Sequence, residues 1–201
     1  MLYQLTQWSK VLAIVSEMFR SLAAEGIDLR MVNLGGGFPA RYRSEIGSLE
    51  TYCDAVNRAL KQHFGTDIPV VFIEPGRSLV GDAGVLQAEV VLVSKKAESD
   101  TKRWVYLDIG LFGGLAETLG ESIKYRMKCI CEDGASAETG PVVLAGPTCD
   151  STDVLYQSAN YEMPMNLKPG DKVQILSTGA YTTTYSSVNF NGFAPLKSVC
   201  I

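Results

Sequence analysis

The chain has 201 residues, 46% hydrophobic and 20% charged, which is enough apolar material for one or two packed units and too much for a disordered segment. Its 18 basic and 22 acidic residues are interspersed and sum to −4, so no single-sign field steers it to nucleic acid or an anionic membrane. Apolar runs fall far short of the ~20 residues of a membrane span, and five cysteines without framework spacing beside one histidine, His63, argue against a disulfide scaffold or a metal site.

The N-terminal stretch MLYQLTQWSKVLAIV lacks the basic start and cleavage site of a secretory signal, so a cytoplasmic protein is expected. From about residue 7 to 25, Leu12, Val15, Phe19 and Leu22 recur at helical spacing, and Gly26 stands where a C-cap glycine belongs. A short apolar segment, 29–34, runs into Gly35, Gly36 and Gly37. A second helical pattern covers 48–64, and 70–73 reads as a strand stopped by Glu74 and Pro75. Helix, strand, helix, strand is the order of α/β units with parallel strands.

After about Gly84 the pattern turns mostly β. Segments 85–93, 104–109, 142–145, 172–177 and 190–196 read as strands, with one short helix near 117–123. The expected fold class is α/β plus all-β: residues 1–83 as α/β units and 84–201 as a β-sandwich or barrel.

Ligands gather where parallel strands end, because the loops there converge and backbone groups point outward. Two such ends carry chemistry. In MVNLGGGFP, Gly35, Gly36 and Gly37 have no Cβ, so their N–H groups can close on a phosphate; a flexible turn is the plainer reading. In VVFIEPGRSLV, Gly76 admits a ligand and Arg77 offers a planar fork for phosphate. Glu74 calls for a cationic partner, which is either Arg77 or a protonated ring nitrogen. Together the two motifs describe a ligand with a phosphate at one end and a basic aromatic nitrogen at the other, as in pyridoxal phosphate.

The words LGGGFP (34–39), EPGR (74–77), LDIGLFGGLAE (107–117), GPTCDSTD (146–153) and GAYTTTYSSVNFNGF (179–193) stand in an order that resembles the pyridoxal-phosphate decarboxylases of basic amino acids. That family has an alanine-racemase type of fold, and LDIG with GGLAE is most similar to its bacterial ornithine/lysine decarboxylases. The resemblance implies decarboxylation of ornithine or lysine to a diamine by a head-to-tail homodimer with pyridoxal 5'-phosphate as cofactor. It implies that Cys149 and Asp150 reach into the partner's site, Cys149 to help reprotonate the substrate carbon and Asp150 to bind the distal ammonium. Tyr181 would hydrogen-bond the cofactor phosphate, and Glu121 or Glu117 would meet the substrate amine. A small buried thiol at Cys149 and a packing aromatic at Tyr181 are the structural alternatives.

The family's Schiff-base lysine and its ring-stacking histidine have no counterpart in these residues, and His63 falls on a helix face. A complete barrel needs ~250 residues. The resemblance therefore implies a C-terminal half: the last units of a TIM-type (β/α)8 barrel at 1–83 and a β domain at 84–201, inactive and poorly soluble alone. The rival expectation is a non-catalytic decarboxylase-like partner that regulates or complements a full-length subunit.

Overall fold

The computed structural model describes residues 2–201 and divides into two compact units. One is built from the chain up to Pro39 with Ser44–Ser78, the other from Ala40–Arg43 with Leu79–Ile201.

In the first unit α1 (Leu2–Ala24), β1 (Met31–Asn33), α2 (Leu49–Phe64) and β2 (Val70–Phe72) follow one another. α1 stops at Gly26, whose φ of +81° lets the N–H groups of Gly26 and Ile27 bond back to the carbonyls of Ala23 and Leu22. α2 begins where the Ser48 hydroxyl accepts the Thr51 N–H. The core is Leu12, Val32, Val56, Ala59 and Leu60, with Phe19 edge-on to Phe64. His63 is spent locally, its Nε2 lying 3.0 Å from Ser9 Oγ. β1 and β2 pair in parallel, Asn33 opposite Phe72. The α/β pattern is present, but one parallel pair is not a barrel. Of the TIM-type (β/α)8 barrel, whose last units were expected at 1–83, the described residues hold no more than this strand pair with its helices.

α3 (Arg77–Val80) leads into a six-stranded mixed sheet of order β5-β8-β3-β4-β6-β7. Its strands are β3 (Val85–Ser94), β4 (Arg103–Leu107), β5 (Met127–Ile130), β6 (Thr139–Ala145), β7 (Val154–Pro164) and β8 (Lys172–Leu176). Only β4 and β6 run parallel. β3 turns the sheet: its first half pairs with β8 and its second with β4, and the register shifts between Val90 and Leu92. Inward residues Val90, Val105, Leu107, Val142, Leu144, Tyr156 and Ile175 are fully buried, so alternate positions supply the core.

The β domain is thus one curled mixed sheet rather than a sandwich or closed barrel. Residues 190–196 are not a strand, because Asn189 and Asn191 take left-handed φ values of 54° and 51° and coil the chain into a short 3-10 turn at Phe190–Gly192. The segment near 117–123 is a 3-10 stretch, Ala116–Glu121, broken at Leu119 and Gly120, instead of a regular helix. β5 and β7 were not anticipated.

Candidate functional site

In the first unit the parallel pairing of β1 and β2 sends both following loops out at the same end. The ladder continues past the strands: Leu34 N–H bonds Phe72 C=O at 2.9 Å and Glu74 N–H bonds Gly35 C=O at 2.8 Å. The glycine run and Glu74, 39 positions apart or nearly so in sequence, are therefore neighbours. A Cβ on Gly36 would stand 2.9 Å from the Glu74 carbonyl oxygen, so only glycine fits there without displacing backbone.

Asn33, missed by the sequence reading, joins these parts. Its side-chain N–H donates to Glu74 Oε1 at 2.6 Å, and its Oδ1 accepts the Gly35 N–H at 2.8 Å. An Asn two residues before a glycine was the available signal, since such a side chain commonly closes its own turn. Gly35 and Gly37 stand at φ +67° and +84°. With the Gly35 amide engaged by Asn33, the amides of Gly36 and Gly37 are the ones suited to an anion. Glu74 is exposed and keeps its second carboxylate oxygen for a cationic N–H. Gly76 and Arg77, half-buried, follow at the start of α3. Amides for a phosphate and a carboxylate for a protonated ring nitrogen form a donor set that fits pyridoxal phosphate.

In the second unit Cys149 is exposed and Asp150 half-buried on the turn between β6 and β7. The Thr152 N–H, 2.8 Å from Asp150 Oδ1, holds that carboxyl below the usual range. The turn itself is anchored by Asp153, a second residue the sequence reading passed over. This carboxylate is 2% exposed. Its Oδ1 accepts the Leu111 N–H at 2.7 Å, and its Oδ2 accepts the N–H and hydroxyl of Thr148 at 3.1 and 2.7 Å. A Cβ on Gly110 or Gly146 would collide with the same carboxylate. The glycine of LDIG and the first glycine of GPTCD are therefore both explained by one acid, which ties the two loops together.

Glu121 spends its carboxylate on backbone. It accepts the N–H groups of Gln157, Ser158 and Ala159 at 2.7, 2.6 and 2.7 Å. Burial works against ionisation, but these bonds and the nearby Lys124 outweigh it and hold the carboxyl below its ordinary value. Glu117 lies half-buried one turn earlier. Tyr181 has a left-handed φ of 56° and is 44% exposed. That conformation, of order 1–3 kcal/mol above the extended form, is imposed by the approach just before it. Gly179 N–H bonds Gly81 C=O, Thr178 N–H bonds Gly84 C=O, and a Cβ on Gly179 would run into the Val80 carbonyl.

No helix among the described residues is long and apolar enough to cross a membrane. The family model for the C-terminal sheet domain of pyridoxal-dependent decarboxylases matches residues 9–179. The diaminopimelate decarboxylase of Helicobacter pylori strain J99 is 36% identical over 174 residues, 86% of this chain and 40% of the relative. Among solved structures, the lysine/ornithine decarboxylase of Vibrio vulnificus complexed with cadaverine aligns at TM-score 0.81 and 28% identity, over 98% of this chain and 51% of its own. The lysine decarboxylase of Selenomonas ruminantium in complex with PLP and cadaverine aligns at 0.78 and 29%, over 95% and 48%. The chain thus spans about 40% of the length of the curated relative it matches.

Proposed function

This chain belongs to the pyridoxal-dependent decarboxylases of basic amino acids, and from that premise we propose that it supplies the C-terminal part of an enzyme that decarboxylates ornithine or lysine to a diamine. The observation that carries the proposal is the turn at 146–153, where an exposed thiol and a carboxylate are presented side by side by a buried acid. In a head-to-tail homodimer Cys149 would return a proton to the substrate carbon of the partner's site, and Asp150 would hold the distal ammonium.

Pyridoxal 5'-phosphate, when bound, supplies the electron sink for the pair left behind by CO2. Residues 1–83 would hold it: the amides of Gly36 and Gly37 with Arg77 take phosphate, Gly35 and Gly76 give the backbone its approach, and Glu74, steadied by Asn33, keeps a ring nitrogen protonated. Residues 84–201 would contribute the substrate and dimer residues, with the Tyr181 hydroxyl as a phosphate donor. Glu121 sets the backbone near the substrate amine by binding three N–H groups, and Glu121 or Glu117 would meet the ammonium.

Ornithine or lysine is favoured over diaminopimelate by charge. The stretches 107–121 and 146–153 carry Asp108, Glu117, Glu121, Asp150 and Asp153 and no Lys or Arg. Of these acids Asp153 is buried and Glu121 is bound to backbone, so the reading rests on Asp150 as the partner of a distal ammonium.

The test is release of CO2 from ornithine, lysine and diaminopimelate after mixing this chain with a separately expressed N-terminal half that carries the cofactor lysine. Activity on ornithine or lysine that appears only on mixing, and is lost in Cys149→Ala and Asp150→Ala, is the expected result. Turnover of diaminopimelate alone would overturn the substrate assignment. A stable but inactive complex would favour the regulatory partner.

A further inference from the structure

Ser177, at the end of β8, is 2% exposed and stands in the left-handed region at φ 62°, where a residue other than glycine is kept only by surroundings that fix it. Three groups converge on its hydroxyl. Arg126 Nη2 donates to Ser177 Oγ at 2.9 Å, the Arg41 C=O lies 2.9 Å from the same oxygen, and the Asp82 carboxylate accepts its proton. Arg126 Nη2 also reaches Asp82 Oδ1 at 3.4 Å, and the Arg126 C=O takes the Leu176 N–H at 2.9 Å. The Asp82 side chain is 64% exposed, so its ion pair with Arg126 counts for little. The buried Ser177 hydroxyl is the member that holds the others together.

This polar knot sits at a crossing of two backbone segments. Gly179 N–H bonds Gly81 C=O at 2.9 Å, and Thr178 N–H bonds Gly84 C=O at 2.9 Å. A Cβ on Gly84 would collide with Gly179 N, so the segments touch with no side chain between them. A slide of one past the other would break both bonds. Asp82 follows Gly81 and Ser177 precedes Thr178, so the bond between their side chains opposes that slide. Tyr181 leaves the crossing four residues past Ser177, likewise left-handed at φ 56°. Thr182 Oγ1, donating to Thr178 C=O at 2.8 Å, folds the turn between.

We propose that Ser177, held by Asp82 and Arg126, is a positioning residue for the cofactor phosphate and acts through the Tyr181 hydroxyl; the inference rests on the reading of Tyr181 as a phosphate donor. Tyr181 lies on a left-handed turn outside any helix or strand, so no regular element orients it. The crossing supplies the fixed point. Chain continuity gives it a wider reach, since Arg41 follows Gly37 by four positions and Asp82 follows Arg77 by five. Each segment assigned to the phosphate thus runs within a few residues into the groups around Ser177. A donor displaced by a fraction of an ångström forfeits its hydrogen bond to an anion, and that loss falls on the phosphate end of the cofactor alone.

The experiment measures, in the enzyme complemented with the N-terminal half, equilibrium affinity for pyridoxal 5'-phosphate and for pyridoxal, which lacks the phosphate. Ser177→Gly removes the hydroxyl while glycine accepts the left-handed φ, so the backbone path is kept. It should weaken pyridoxal phosphate roughly fivefold, the scale of one hydrogen bond, and leave pyridoxal within about twofold. Asp82→Ala, an exposed change, should shift the ratio of the two affinities in the same direction. In a Tyr181→Phe background Ser177→Gly should add less than about twofold, because its effect runs through the tyrosine hydroxyl. The proposal is overturned if neither variant shifts the ratio while Tyr181→Phe does, if both ligands weaken alike, or if the losses from Ser177→Gly and Tyr181→Phe add in full. A ratio unmoved by Tyr181→Phe would overturn the reading of Tyr181 itself, and this proposal with it.

Discussion

The carboxylate of Asp153 and the backbone N–H of Leu111 meet at 2.7 Å across 42 positions of sequence, and the same side chain holds Thr148. Removing the acceptor strands three donors, the buried Leu111 N–H and the half-buried N–H and hydroxyl of Thr148. Asp153→Ala should therefore lower stability by roughly 2–4 kcal/mol, read as a shift of the urea midpoint. Asp153→Asn keeps one acceptor but turns an N–H toward donors, so it should fall between the two. An unchanged midpoint in Asp153→Ala would remove Asp153 as the anchor of the turn.

Glu121→Gln tests the acid that binds residues 157–159. The folded-state carboxyl is held below its ordinary value, so its stabilisation is present above the unfolded-state pKa of ~4.3 and is lost as pH falls through the folded value. The stability gap between Glu121→Gln and the parent chain should be full at pH 7 and shrink on acidification below about pH 4. Urea midpoints at several pH values read it directly, and a gap that widens with acid would have the wrong sign.

Thiol reactivity should rank by environment. Burial, then the neighbouring Cys131 and Asp171, push the Cys129 thiol up to about 11, whereas Cys53, Cys149 and Cys200 are exposed. Peptide-resolved alkylation at pH 8 should label the three exposed cysteines first and Cys129 last. Its rate should still be climbing at pH 10.

Gly36→Ala places a methyl against the Glu74 carbonyl and must part the two loops. A loss of roughly 1–3 kcal/mol is expected by analogy with overpacking, together with reduced decarboxylation in the complemented enzyme. Asn33→Ala should impair the same activity by freeing Glu74, and a complemented enzyme indifferent to both changes would dissociate this loop pair from the cofactor.

Much of this was legible before the fold was known. The helices were marked by 3.6-residue periodicity and the first by Gly26 at its end, and the glycine run, EPGR and GPTCD stood out by composition. What escaped was long-range. β7 carries polar Gln157, Ser158 and Asn160 among its apolar residues because three of its amides are bound by Glu121, which blurs the period-two signal. Asp153 reads as one more turn residue until Leu111 is seen beside it. Segment 190–196 looks like a strand by its phenylalanines, but its asparagines choose the left-handed region.

The partner switch of β3 also sets an order of events. Its second half can pair with β4 after a short excursion, but Val85 waits for Leu176, near the end of the chain. During synthesis the strand that becomes central to the sheet therefore has an unsatisfied flank until β8 has emerged. Long-range closure of this kind slows folding, and exposed strand edges in the interim invite association between nascent chains. The β domain completes itself last to first, which ties its yield in the cell to how long that flank stays shielded.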